Sequence, residues 1–412
     1  MTDVRAIILA AGKGTRMKSE TPKVLHPVAG RPVIAYVLDI VRSLKTFVVV
    51  GHGAQKVRAA LGDGLTYVAQ DRLLGTADAL RRVAPLLKGF RGHVLVLCGD
   101  TPLLEKQTVQ RLLAQHRRSR ADATVLTAHI HDPRGYGRIV RDAGGHISAI
   151  REQKDASPRE ARIMEINVGA YCFQAQKIFD VLRRVKWNAR KKEFYLTDVI
   201  EVLLARGSRV GTVLAVDASS AFGINTRVDL ARAERVIRMR ILSKLMLEGV
   251  TIVDPATTYV ETGVKIGRDT VIYPCTVIDR DVVVGKNCRV GPFAHLRPGT
   301  RVGDHVEIGN FTEVSRSRVG KNVFIKHFSF LGDAALGANV NIGAGTVTAN
   351  FDGRTKNRTT ISDGAFIGSG AVLVAPVSVG KKAVVGAGSV VTKGKNIPAG
   401  AMAFGVPAKI VR

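Results

Sequence analysis

Cysteine is scarce in this chain of 412 residues. Cys98, Cys172, Cys275 and Cys288 lie far apart, with no CxxC pair and no histidine at ligand spacing. Neither a disulfide framework nor a zinc site is expected from that pattern. Aromatic residues make up 5% of the chain, with one tryptophan, so few rings are available to stack on single-stranded nucleic acid. Acidic residues are also few: 34 against 62 Lys and Arg, a net charge of +28. That imbalance suits polyanionic ligands such as nucleotides, phosphorylated sugars, coenzyme A or nucleic acid. The basic clusters (Arg117-Arg118 with Arg120, Arg183-Arg184 with Lys186, and Arg190 to Lys192) carry no interleaved aromatics and read as solvated surface, so a nucleic-acid partner is not expected. Long hydrophobic runs are missing too. Ala6 to Ala11 is too short to span a membrane and runs into Gly12-Lys13-Gly14, so neither membrane insertion nor a signal peptide is expected, and a cytoplasmic protein is.

What is present is a chain of ordinary globular composition, 46% hydrophobic and 23% charged, long enough for two or three domains. In the first half, short aliphatic runs alternate with amphipathic stretches. Val4 to Ala10, Phe47 to Val50, Val94 to Cys98 and Thr124 to Ala128 read as buried strands. Val33 to Leu44, Ala77 to Leu87 and Val109 to Arg118 have helical spacing. This is the pattern of an α/β, Rossmann-like domain with a mainly parallel sheet. Ligands of such sheets sit beyond the carboxyl ends of the strands, which directs attention to the loops after Ala10 and Cys98.

Thr226 to Leu247 reads as one long helix of roughly 33 Å. Thr226 and Asp229 resemble a capping box and Gly249 is a stop. The period then changes to six. Ile266, Ile272, Ile278, Val284, Val290, Leu296, Val302, Ile308 and Val314 are all aliphatic. The beat resumes at Val319, Ile325, Leu331, Leu336 and Ile342, and again at Ile361, Ile367, Leu373, Val379, Val385 and Val391. A hexapeptide repeat predicts a parallel β-helix with one inward aliphatic residue per short strand. The break from Thr348 to Thr360 predicts a loop thrown out of the prism. The expected division is therefore 1–225, a linker helix over 226–248, and 249–412.

Leu9-Ala10-Ala11-Gly12-Lys13-Gly14-Thr15-Arg16-Met17, ahead of Pro22-Lys23-Val24-Leu25, is a glycine-rich turn flanked by cations. Backbone N–H groups and the side chains of Lys13, Arg16 and Lys23 suit phosphate oxygens there. The Walker A spacing is absent. With Gln70, Leu74-Gly75-Thr76-Ala77, Gly99-Asp100, Gly135-Tyr136-Gly137-Arg138, Glu165-Ile166-Asn167 and Tyr195-Leu196-Thr197-Asp198, the first half resembles the sugar-nucleotide pyrophosphorylases. With the repeats added, the chain resembles the bacterial bifunctional family that pairs N-acetylglucosamine-1-phosphate uridyltransferase with glucosamine-1-phosphate acetyltransferase. In that family the prism is a left-handed β-helix.

The resemblance implies a site for each activity. For uridylyl transfer, Mg²⁺ is held by Asp100 and Asn225, while Arg16 and Lys23 steady the triphosphate of UTP. Leu9, Ala10, Ala11, Gly12, Gln70, Gly75, Thr76 and Gly99 hold the nucleotide, and Gly137, Glu152 and Asn167 hold the sugar. Taken singly, Asp100 also suits a turn cap, Asn225 a helix cap and Glu152 a surface pair with Arg151 and Lys154. For acetyl transfer from acetyl-CoA, His327 is the base, since histidine ordinarily titrates near neutrality. Arg297, Phe330, Asn341 and Asn350 meet the acceptor, and Ala344, Ser369 and Ala387 line the coenzyme A groove. His295 reads as structural. Small-molecule substrates and a homotrimer, with the acyl site between subunits, are the implied partners.

The second half also departs from the family. Ser315 replaces a phosphate-binding lysine, Phe330 and Phe351 replace tyrosines, and Val406 falls near an expected arginine. The early prism is short by roughly a coil. Arg316 and Lys326 are candidates to supply the missing cation. Two rival readings follow. One is a uridylyltransferase whose repeats only trimerise or acetylate another amino sugar. The other is a non-catalytic subunit resembling those of the eukaryotic translation-initiation exchange factor.

Overall fold

The aliphatic run Val4–Ala10 becomes the middle of a mixed sheet. A computed structural model describes residues 3–189 and 192–411, so Arg190 and Lys191 of the third basic cluster lie outside the described residues. From one edge to the other the sheet runs Val210–Leu214, Ala123–His129, Glu165–Gln174, His93–Cys98, Val4–Ala10, Lys45–Val50 and Thr66–Ala69. Glu165–Gln174 runs antiparallel to both of its main neighbours, and the other pairings along this order are parallel. A hairpin of Arg138–Arg141 and Ile147–Arg151 attaches to Glu165–Gln174. Ile7, Ile8, Val48, Val49, Leu95 and Val96 are fully buried, as expected of strands covered by helices on both faces.

The helices differ from the sequence expectation in two details. The stretch expected as Ala77 to Leu87 is a helix over Thr76–Val83 followed by a 3₁₀ turn over Ala84–Leu87. Pro85 has no backbone N–H to donate to Arg81 O, so the α-helical ladder ends there although Ala84 keeps helical backbone angles. The first helix spans Val33–Ile40 and closes with Val41 N–H donating to Leu38 O at 3.1 Å.

A later helix, Asp198–Leu204, packs against Ile147–Arg151. Its first residue is a partly buried carboxyl. Burial, with Glu201 and Glu152 adding repulsion, pushes the Asp198 pKa up to about 6.

Helix Arg227–Leu247 is capped as anticipated. The Asp229 carboxylate accepts from the Thr226 amide and hydroxyl, both at 2.8 Å, and the Asp229 amide donates to Thr226 Oγ1 at 3.2 Å. Gly249, with φ +94°, follows its end. The chain divides into two compact units, Met1–Arg235 and Val236–Arg412.

The second unit is a left-handed parallel β-helix, with sheets of ten, eight and eight short strands on three faces. Each inward position read from the six-residue period, from Ile266 to Val391, is buried. Burying such a side chain contributes about 1.5–3 kcal/mol. Successive coils approach closely enough that a Cβ at Gly285 would lie 2.6 Å from the Gly303 carbonyl carbon and oxygen. A glycine after the inward residue therefore follows from the stacking. Segment 350–358 leaves the prism as a loop. The Asp352 carboxylate organises it, accepting from the amides of Arg354 and Thr355 at 3.1 and 2.8 Å and from Asn357 Nδ2 at 3.0 Å.

Two outcomes follow for stability. Leu331→Ala, at a fully buried position, should cost about 2–5 kcal/mol. It should lower the unfolding midpoint seen by far-ultraviolet circular dichroism while the fluorescence transition of Trp187, in the first unit, stays in place. For Asp198, a raised folded-state pKa means the native state binds this proton more tightly, so stability declines as pH rises from about 4 through about 6. Asp198→Asn should accordingly raise the thermal midpoint above pH 6, and that gain should fade towards pH 4.

Candidate functional site

The turn after Ala10 is built by one backbone constraint. Gly14 has φ +60°, and a Cβ there would sit 2.8 Å from Lys23 Cβ, so glycine lets the turn close directly on Lys23. Met17 anchors the turn with 2% exposure. Ala11 O accepts the His52 amide at 3.1 Å, and Leu9 O accepts the Gly99 amide at 2.9 Å. Leu9, Ala10, Ala11, Gly12 and Gly99 therefore share one rim at the carboxyl ends of adjacent strands.

Four polar side chains meet beside that rim. Lys23 Nζ forms an ion pair with Asp100 Oδ2 and donates to Asn225 Oδ1 at 3.3 Å. Arg16 Nη2 donates to the same Asn225 oxygen at 2.8 Å. The Ile224 amide donates to Asp100 O at 2.8 Å, which brings Asn225 to Asp100 across a long sequence separation. The Asp229 carboxylate, already the helix cap, also accepts the Asn225 amide at 3.1 Å. One ammonium thus touches both a carboxylate and an amide oxygen, so these two hard donors converge on a single point able to hold a cation. Oxygen donors of this kind are what Mg²⁺ selects.

Gln70, 4% exposed, donates from Nε2 to Gly75 O at 3.0 Å and to Asp78 Oδ2 at 2.9 Å. The segment 194–197 straps this region to the hairpin end. Phe194 N–H donates to Leu74 O at 2.7 Å and Leu196 N–H to Thr76 Oγ1 at 3.0 Å. The Thr197 hydroxyl then donates to Glu152 Oε1 at 3.1 Å. Asn167 N–H donates to Gly137 O at 2.9 Å, and its Nδ2 to the Tyr171 hydroxyl at 2.6 Å. The Cys98 thiol lies beneath these groups. Burial first, with the Asp100 charge adding, pushes its pKa up to about 12, which leaves it a neutral packing group. The residues that sequence reasoning missed are Asp78 and Tyr171, which orient Gln70 and Asn167. The acid in the first turn of the helix after Gly75 was the available signal for Asp78.

In the β-helix, His327 stands in a column with the expected coenzyme A residues. Gly345 N–H donates to His327 O at 3.5 Å, Gly370 N–H to Ala344 O at 2.7 Å, and Gly388 N–H to Ser369 O at 2.8 Å. His327, Ser369 and Ala387 are exposed and Ala344 is half-buried. The column is a stair of small side chains with an imidazole at its head. His295 instead pairs through Nε2 with Asp279 Oδ2 at 3.0 Å.

The next corner of the prism gathers polar groups because the repeat shortens there. The steps from Val314 to Val319 and from Leu331 to Leu336 are one residue short of six, and Arg316 and Asp333 turn these corners with φ +48° and +50°. Arg316 Nε and Nη2 donate to the two oxygens of Asp333 at 2.7 and 2.8 Å, and Nη1 donates to Ser315 Oγ at 2.8 Å. This pair holds the Asp333 carboxyl below its usual range. Asn350 Nδ2 donates to Asp333 as well. A cleft of about 440 Å³ opens beside them, lined by Arg316, Arg318, Lys356 and Arg358 among others. Lys326, the other candidate substitute for the missing lysine, is paired with Glu307 at 2.9 Å. Arg297 Nη1 donates to Glu313 Oε1 at 2.9 Å, and Glu313 is the strand neighbour of Phe330. Asn341 lies on a different face, between Phe324 and Phe366. One chain thus groups Arg297, Phe330 and Asn350 on one face and its following corner, and places Asn341 apart from them.

Comparison with known proteins agrees with this two-part layout. The family model of the MobA-like NTP transferase domain matches residues 6–192, that of the bacterial transferase hexapeptide residues 281–316, and that of the hexapeptide repeat of succinyl-transferase residues 358–393. The bifunctional protein GlmU of Geobacillus sp. (strain WCH70) is 48% identical, over 94% of this chain and 92% of that protein. The GlmU of Geobacillus thermodenitrificans is 46% identical over 97% and 95%, and that of Heliobacterium modesticaldum 45% identical over 97% and 94%. With a nucleotide-type rim in one unit, an imidazole-headed stair in the other and identity of this order along nearly its whole length, the chain belongs to the GlmU family of bifunctional proteins.

Proposed function

We propose that the chain makes UDP-N-acetylglucosamine from glucosamine-1-phosphate in two steps, acetylation in the β-helix and uridylyl transfer in the α/β unit. The convergence of Arg16, Lys23, Asp100 and Asn225 at the carboxyl ends of the sheet strands carries the second assignment. In that step a phosphate oxygen of N-acetylglucosamine-1-phosphate attacks the α-phosphorus of UTP. A new P–O bond forms, and the α–β bridging bond breaks with its electron pair leaving on pyrophosphate. The protein's contribution is positioning and neutralisation of charge. Backbone of Leu9 to Gly12 with Gln70, Gly75 and Thr76 orients the nucleotide, and Glu152, Asn167 and Gly137 orient the sugar. Lys23 and Arg16, now tied to Asp100 and Asn225, swing to the phosphates. Asp100 and Asn225 would hold Mg²⁺, which when bound offsets charge on bridging phosphate oxygens.

In the first step the amine of glucosamine-1-phosphate attacks the thioester carbonyl of acetyl-CoA. His327 removes the proton from the attacking nitrogen, and the C–S bond breaks to release coenzyme A as thiol. The donor lies along Ala344, Ser369 and Ala387, where small side chains leave room for the pantetheine arm. The sugar phosphate enters the cleft lined by Arg318, Lys356 and Arg358, and Arg316 and Arg297, now paired with Asp333 and Glu313, turn to it to offset the charge absent at Ser315. Completing this acceptor site with Asn341 requires a second face, supplied by a neighbouring subunit in a homotrimer. The substrates and intermediates are those of the cytoplasm.

Two substitutions separate the activities. Asp100→Ala should lower pyrophosphate release from UTP and N-acetylglucosamine-1-phosphate by about 100-fold or more, with thiol release from acetyl-CoA retained. Unchanged uridylyl transfer would remove Asp100 from the mechanism. His327→Ala should lower thiol release by about 10²–10⁴-fold and leave pyrophosphate release intact. A normal rate in that variant would assign the base elsewhere.

A further inference from the structure

Outside both sites, three groups that neither reaction uses meet at the amino end of strand His93–Cys98. We propose that His93, His116 and Cys172 form a binding site for a single thiolate- and imidazole-preferring cation of the Zn²⁺ class.

Strand register brings the donors together. Cys172 lies opposite Leu95 on one side and Thr124 on the other, in antiparallel pairs. Directly opposed residues share a sheet face, and His93, two positions before Leu95, shares it as well. Helix Lys106–Arg118 crosses that face and lowers His116 onto it. One ligand atom from each of His93, His116 and Cys172 lies within 4.8 Å of the other two. A four-coordinate ion with bonds of 2.0–2.3 Å needs donors about 3.3–3.8 Å apart, so modest side-chain closure suffices. The spacing rule that excluded zinc from the sequence fails here because the donors come from three elements remote in the chain.

The nitrogens are already oriented. His116 Nε2 and His93 Nδ1 face each other at 3.1 Å, and His116 Nδ1 lies 2.9 Å from Thr124 Oγ1. With Thr124 accepting from Nδ1–H, the Nε2 lone pair points towards His93, the outer-shell arrangement typical of metal-binding imidazoles. Arg117, next to His116 in the chain, is engaged by both oxygens of Asp3 at 2.7 and 2.8 Å. Cys172 and His116 are 0% and 1% exposed, whereas His93 is only half-buried, so the cluster meets solvent on the His93 side. Binding expels the thiol proton to solvent. A set of two nitrogens and one sulfur favours Zn²⁺ or Cu⁺ over Mg²⁺ and Ca²⁺, which take oxygen. The site lies about 17 Å along the strand from Cys98, away from the uridylyl rim. Its effect is to clamp the helix to two strands.

The test uses the full-length protein, stripped with a chelator and titrated with Co²⁺. One equivalent should produce a thiolate-to-cobalt charge-transfer band, and one equivalent of Zn²⁺ should remove it. Cys172→Ser should abolish the band, and His93→Gln should weaken binding at least about 10-fold. Trp187 fluorescence and circular dichroism report whether each variant is folded. If Cys172→Ser does not fold, His93→Gln, at the half-buried position, decides. No band in the wild-type protein, a band unchanged by Cys172→Ser, or unaltered affinity in His93→Gln would each overturn the proposal.

Discussion

The hydrogen bond from the Gly99 amide to Leu9 O, at 2.9 Å, fixes the relation on which the uridylyl rim depends. It closes the ladder between Val4–Ala10 and His93–Cys98 at the point where both strands end. Everything beyond is placed by that termination. The glycine turn emerges from one strand and Asp100 from the other, a few ångströms apart, and the Ile224 amide then ties Asn225 to Asp100. A one-residue slip of this register would turn the inward and outward faces of the strand over. It would also carry the carboxylate away from Lys23. The polar cluster is therefore a consequence of where two aliphatic runs stop.

The second unit uses a different constraint to the same end. Its core repeats at six residues, so residues at equivalent corners stack in columns whatever their chemistry. Small side chains in one column make the stair below His327. In another, two shortened steps tighten the corner and bring Arg316 over Asp333. Polar corner residues here are added to a scaffold whose interior does not change to receive them. Ile308, Leu331 and Ile367 are as fully buried beside the polar corners as Ile272 is far from them.

Much of this was legible in the chain because the signals are local. The period of six needs only aliphatic residues in sequence order, and Gly14 and Asp100 are marked by short motifs at strand ends. The limits of reading come where long-range packing decides. Asp78 reaches Gln70, and Tyr171 reaches Asn167, only through folded strands and helices. The pairing of Arg316 with Asp333 depends on how many residues a coil contains, which a list of aliphatic positions shows as a slipped beat without saying what fills it. The end of the first helix at Ile40 and the division at Pro85 were likewise matters of local backbone geometry that amphipathic spacing does not report.

Stacked coils also act as a graduated scale. Each turn adds one interstrand spacing of about 4.8 Å, and His327, Ala344, Ser369 and Ala387 occupy successive gradations. A whole turn can be gained or lost ahead of Asn310 while the distance from the imidazole to the last small residue stays constant. Loss of a turn between His327 and Ser369 would shorten that reach by one gradation. A change of prism length ahead of Asn310 thus leaves this column intact, whereas one within it changes the column's own length.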